Sequence, residues 1–151
     1  ISEASEPRRV AEKLIPEHFP ALEQVSVRYL YTTQAKKSRG KVKLGWVEKP
    51  GLAARYLASG ENQTPEDGPD FIVWISQPRW DLLDQVQRRA LVYHELCHIG
   101  VTSEDDGDMK LTLLPHDCEM FNGEVLEFGL WHPDLERMGD AVGKQMAMRV
   151  G

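Results

Sequence analysis

Long apolar runs are missing from this chain of 151 residues. No stretch of about eighteen uncharged hydrophobic residues occurs, which argues against a membrane-spanning helix. The segment from Ile1 to Arg9 also lacks the apolar centre of a secretory signal. Cysteine is scarce: Cys97 and Cys118 are the only two, too few for a disulfide framework, and a reducing cytoplasm is the simpler compartment. Positive charge falls short of negative, leaving a formal net charge of -6, so nucleic acid is not expected as a partner. Repeats and low-complexity tracts are absent, which removes solenoids from consideration.

What is present is the composition of a globular chain, 41% hydrophobic and 28% charged. Its length suits a single domain over 1–151, with 1–9 and 140–151 expected as flexible tails. Val10 to Ile15 predicts a short amphipathic helix that Pro16 ends. Val25 to Tyr31 alternates and is rich in β-branched and aromatic residues, so it predicts a first strand. A basic cluster (Lys36, Lys37, Arg39, Lys41 and Lys43) reads as a solvated hairpin, turning at Ser38-Arg39-Gly40 into a second strand over Lys41 to Glu48. Leu52 to Ala58 stays ambiguous, and Ser59 to Asp70 has the composition of a loop. Phe71 to Ser76 is the clearest strand. After the central helix discussed next, Thr102 to Asp108 is acidic but lacks the ligand spacing of a calcium loop. A further helix is expected to open at Pro115 to Phe121 with a core face of Phe121, Val125, Leu126 and Phe128. Another should run from Asp134, interrupted at Gly139 and Gly143. The fold class expected is α+β: a sheet of about three strands packed on the central helix, with further helices.

That central segment, from Asp81 to Gly100, contains His94-Glu95-Leu96-Cys97-His98. On a helix, positions four apart share a face, so both imidazoles can reach one metal ion with Glu95 beside them. The row Val86, Ala90, Tyr93 and Cys97 is expected to face the core, and the row Gln87, Leu91, His94 and His98 its margin. The Cys97 thiol then points off the metal face.

Two histidines seldom hold zinc alone; a catalytic site uses three protein ligands and an open position. His116, Asp117, Glu119, Glu124 and His132 are the candidates for the third. His116 is favoured because it starts a helix after a loop long enough for the chain to reverse, with Asp117 as a helix cap or an acceptor for an imidazole N–H. In such a site zinc activates water, and Glu95 takes its proton and passes it to the leaving amine. An oxyanion donor is not evident: Tyr93, His132 and an arginine are all open.

Several runs together carry a family resemblance. These are Phe71 to Ser76, Trp80, Gln87 to His98, His116-Asp117-Cys118-Glu119-Met120-Phe121 and Phe128-Gly129-Leu130-Trp131. The chain resembles the phage metallopeptidases and, more distantly, is similar to the SprT-like zinc proteases. The resemblance covers about Val25 to Leu135. It implies a small zincin-like domain with His94, His98 and His116 as zinc ligands and Glu95 as the catalytic carboxylate. The resemblance does not deliver a substrate; the first reading is a zinc-dependent endopeptidase of phage or prophage origin acting on protein or peptide in the host cytoplasm. The chain has no Cys-x-x-Cys ribbon or basic tail of the kind that accompanies a DNA-linked role. The alternative of another class is a zinc-binding interaction module without turnover that targets a host protein.

Overall fold

The computed structural model describes residues 1–34, 36–58, 68–105 and 107–150. They fall into two compact units, Ile1–Leu114 and Pro115–Gly151. In the first, a mixed four-stranded sheet has the order β1-β2-β6-β5. Its strands are β1 (Ser2–Glu3), β2 (Val27–Thr32), β6 (Phe71–Ser76) and β5 (Gly45–Glu48). β2 and β6 run parallel, and β1 and β5 are antiparallel to their neighbours. The α+β class therefore holds, with β1 added to the expected strands by residues 1–9, where Ala4 and Pro7 are buried. β6 matches its sequence signal over Phe71 to Ser76 because it is central: Phe71, Val73 and Ile75 are fully buried on one face, and Ile72 is nearly so on the other.

Two helices cover the face of Phe71, Val73 and Ile75. α1 (Ser5–His18) contributes Ala11 and Leu14, and α4 (Gln85–Cys97) contributes Leu91, Val92 and Leu96 to one apolar cluster with Tyr29, Leu22 and Trp80. Pro16 does not end α1; it sits within its last turn, and the helix runs on until Phe19 donates its N–H to the Ile15 carbonyl at 2.8 Å. Burial of desolvated Tyr29 pushes its phenol pKa up. A one-turn helix, α3 (Gln77–Trp80), seats Trp80 in the core just before α4.

The expected second strand is broken in two. A small hairpin, β3 (Lys37–Ser38) with β4 (Lys41–Val42), precedes β5 and turns at Arg39 and Gly40, both with positive φ. This paired positive φ gives a turn whose twist matches its strands. Leu52–Ala58 is helical (α2), and the loop expected from Ser59 lies outside the described residues as far as position 67. After α4 comes a hairpin that is not among the expected strands: β7 (Ile99–Ser103) pairs antiparallel with β8 (Met109–Leu113). Gly100 is needed there, since a side chain would meet Thr112 Oγ1 at 2.6 Å.

In the second unit α5 spans Asn122–Phe128 and α6 spans Pro133–Val150. α5 starts later than expected, its first turn closed by Glu124, whose side chain accepts the Phe121 N–H at 2.7 Å. Its supposed core face is not buried, for Phe121, Leu126 and Phe128 are all exposed. α6 passes Gly139 and Gly143 without a break. Glycine costs a helix only about 1 kcal/mol, and at Gly139 the missing side chain admits Leu130, whose Cδ1 stands 2.8 Å from where a Cβ would be. No helix among the described residues is long and apolar enough to cross a membrane.

Candidate metal centre

α4 begins later than its sequence pattern implied, because Asp84 is a stronger start signal than Asp81. The Asp84 carboxylate accepts the Gln87 N–H at 2.8 Å, and the Gln87 side chain accepts the Asp84 N–H at 3.0 Å. This reciprocal cap fixes the first turn. The helix is also rotated from the expected facing. Val86, Tyr93 and Cys97 are exposed, whereas Leu91, Val92, Glu95 and Leu96 are buried. Leucine at 91 and 96 and valine at 92 offer more apolar area than the row read as core, so they take the inside. Tyr93 instead packs its ring against Phe19 and His18, at centroid distances of 4.9 and 5.4 Å.

The rotation sends Glu95 inward. Its side chain is 3% exposed, and Oε2 has no hydrogen-bond partner among the described residues. Burial raises its carboxyl pKa to about 7, against smaller lowering influences of His98 and Lys43. Room for the carboxylate is left by Gly45 on β5: a Cβ there would lie 3.3 Å from Glu95 Oε1 and 2.7 Å from the Trp74 carbonyl oxygen. A glycine inside a strand often marks such a close approach, and that was the one sequence sign of Gly45's place here.

His98 follows the last helical residue but keeps helical dihedrals (φ -74, ψ -12), so its ring stays one turn from that of His94. The two ring centroids are 5.1 Å apart. His98 Nδ1 lies 2.7 Å from the carbonyl oxygen of Leu114. A carbonyl can only accept, so Nδ1 carries a proton, and in a neutral ring Nε2 then presents the lone pair. The chain is clamped at the same point by the Leu114 N–H, which donates to the His98 carbonyl at 2.7 Å. Nothing in the sequence signalled Leu114, because its contribution is made by the main chain.

Position 116 is not at a helix start; residues 115–121 are irregular, and Phe121, not Asp117, is the residue that precedes α5. Even so, His116 joins the pair. One ligand atom from each of His94, His98 and His116 lies within 4.8 Å of the others, a group that could hold a metal ion. Among the described residues this is the group of metal-ligating side chains that forms, and it includes neither Glu119, Glu124, Asp117 nor His132. His132 is used elsewhere, its Nδ1 accepting the Asp134 N–H at 3.1 Å at the start of α6.

The donor set suits a borderline metal ion. Imidazole nitrogens on a tetrahedral zinc ion stand about 3.3 Å apart. A spread of no more than 4.8 Å leaves room for such an ion. A buried carboxylate oxygen without a hydrogen bond, next in sequence to one of these rings, is the kind of group that a neighbouring cation would compensate.

The match to a known family extends over residues 1–143, and that family is described as Putative phage metallopeptidase. The chain belongs to this family. The family's description suggests a metal-dependent peptidase, a class whose substrates are proteins or peptides. No curated protein and no solved structure matches the chain. The three-histidine group and the family match were reached from different observations, and both point to a metal ion.

Proposed function

We propose that the chain is a zinc-dependent endopeptidase of phage or prophage origin, acting in the host cytoplasm, with residues 1–151 serving as one zincin-like catalytic domain. In this reading His94, His98 and His116 hold the zinc ion and leave a fourth position open. The observation that carries the proposal is a group of three imidazoles whose ligand atoms lie within 4.8 Å of one another, next in sequence to a buried carboxylate whose Oε2 has no hydrogen-bond partner among the described residues.

When bound, zinc would supply Lewis acidity, easing loss of a proton from water near neutral pH and polarising the scissile carbonyl. Glu95 does the proton work. With Oε2 unengaged among the described residues, it can accept the proton of the attacking water and later deliver it to the leaving amine. The Leu114 carbonyl holds His98 in the tautomer whose Nε2 can donate to a metal, which keeps the ring oriented before any ion arrives. β5 supplies a place for the substrate backbone. It is the outer strand of the sheet beside Glu95, and Leu44 accepts the Ser76 N–H at 2.9 Å. That register turns the main-chain groups of Gly45 and Val47 away from β6, to a side where no other strand lies among the described residues, so an extended peptide can pair there.

Metal analysis of the purified chain, joined to mass analysis of a digested unfolded protein, tests this. About one zinc per chain is expected, lost on His116→Ala and kept on Glu119→Ala. Glu95→Gln should keep the zinc and lower cleavage by about 10²–10⁴-fold. Zinc retained by His116→Ala and lost by Glu119→Ala would overturn the ligand set. Cleavage undiminished in Glu95→Gln would overturn the role of the carboxylate.

A further inference from the structure

In a chain with a net charge of -6, positions 24 to 47 hold no aspartate or glutamate, while Lys36, Lys37, Arg39, Lys41 and Lys43 crowd into one short stretch. The structure gives this stretch a definite place. It forms the β3–β4 hairpin, which leads directly into β5, the free edge beside Glu95. The hairpin is fastened at its base by the Lys43 N–H donating to the Lys36 carbonyl at 2.8 Å. None of its five cations forms an ion pair among the described residues. Lys36, Lys37, Arg39 and Lys41 are exposed, and Lys43 at the inner end is near enough to act electrostatically on Glu95. Among the described residues, positive charge without an ion-pair partner therefore extends from the exposed hairpin to Lys43, two positions before the Gly45 that lies against Glu95.

We propose that this hairpin selects peptide substrates with acidic side chains, holding them beside the free edge of β5. The proposal rests on the peptidase reading above and names the substrate class of that same site. Opposite charge at the hairpin steers and orients an acidic segment, while main-chain pairing along Gly45 and Val47 aligns its backbone. A nucleic acid fits the same surface less well. It cannot use the strand edge, and the Trp46 ring, stacked on Trp74 at 5.9 Å, is overlaid by the Lys36 ammonium at 4.7 Å, so its face is not open to a base. The negative charge of the rest of the chain also repels a long polyanion more than a short acidic peptide.

The test uses the zinc-loaded full chain in two assays. In the first, a mixture of peptides is digested and the products are read by mass spectrometry, for the wild type and for the triple variant Lys37→Glu, Arg39→Glu, Lys41→Glu. Cleaved peptides should be enriched in Asp and Glu on one side of the cut. The triple variant should lose about tenfold in kcat/KM on acidic peptides, mainly through KM, and little on neutral ones. Salt at about 1 M, where the screening length is about 3 Å, should erase the preference. In the second assay, fluorescence anisotropy compares a glutamate-rich peptide, a neutral peptide and a single-stranded oligonucleotide. Cleavage with no acidic enrichment and no response to the triple variant overturns the hairpin's role and leaves the peptidase reading standing. Binding of the acidic peptide without cleavage of anything supports the hairpin's role and overturns the peptidase. Tighter binding of the oligonucleotide than of the acidic peptide, or binding of neither, overturns the proposal.

Discussion

Replacing Glu95 by glutamine should make the metal-free protein more stable and its stability less dependent on pH. Burial raises the Glu95 carboxyl from its ordinary 4.5 to about 7, so the folded state binds a proton that the unfolded state has released in that range. The folded state is thus favoured by this group below pH 4.5, and the advantage is lost as pH rises through about 7. At about 1.36 kcal/mol per pH unit, the loss amounts to about 3 kcal/mol. A buried amide at the same place carries no such dependence. The difference in unfolding free energy between Glu95→Gln and the wild type should therefore grow by about 3 kcal/mol between pH 4.5 and pH 8. Urea unfolding of chelator-treated protein measures it. With an m-value of about 1.5 kcal/mol/M, the midpoints should separate by a further 2 M or so across that range. Other carboxylates affect both proteins alike and cancel in the difference. Adding zinc back to the wild type should flatten its pH dependence, since a nearby cation favours the ionised carboxylate. Parallel stability curves for the two metal-free proteins would refute the reasoning.

Two further substitutions probe how the site is built. Gly45→Ala places a methyl 2.7 Å from the Trp74 carbonyl and against Glu95; a loss of about 1–3 kcal/mol is expected in thermal unfolding, together with reduced peptide cleavage. Unchanged stability would mean that β5 shifts freely and does not frame the carboxylate. Asp84→Ala removes the cap of α4 and should cost about 1 kcal/mol, seen as a lower Tm with the zinc stoichiometry unchanged.

Local chemistry in the sequence was the best guide to the structure. The His94-Glu95-x-x-His98 spacing put two rings one turn apart, and the apolar run at Phe71 to Ser76 gave a central strand with the expected ends. The helix start expected at His116 is absent: the residue lies in an irregular segment, with a ligand atom within 4.8 Å of those of His94 and His98. What the sequence concealed was mostly non-local. Which row of α4 turns inward depends on the sheet and α1 beneath it, and the competition between two moderately apolar rows was settled by Leu91, Val92 and Leu96. Main-chain groups leave no residue-type signature, so the Leu114 carbonyl on His98 and the Leu44 carbonyl that sets the β5 register were invisible. Local propensity makes breaks of Pro16, Gly139 and Gly143, yet both helices run through them: Pro16 lies in the last turn of α1, and a glycine costs a helix only about 1 kcal/mol.

The parallel pairing of β2 with β6 joins residues about 44 positions apart in the chain, Val27 with Phe71 onward. On a ribosome adding about 5–20 residues per second, β2 emerges roughly two to nine seconds before its partner. During that interval its hydrophobic face and open hydrogen-bonding edge invite pairing with other nascent chains. The lysines and arginine that emerge next, from position 36 to 43, put like charges beside that sticky strand on every copy. Mutual repulsion between newly made chains would then guard the strand until its proper neighbour is synthesised.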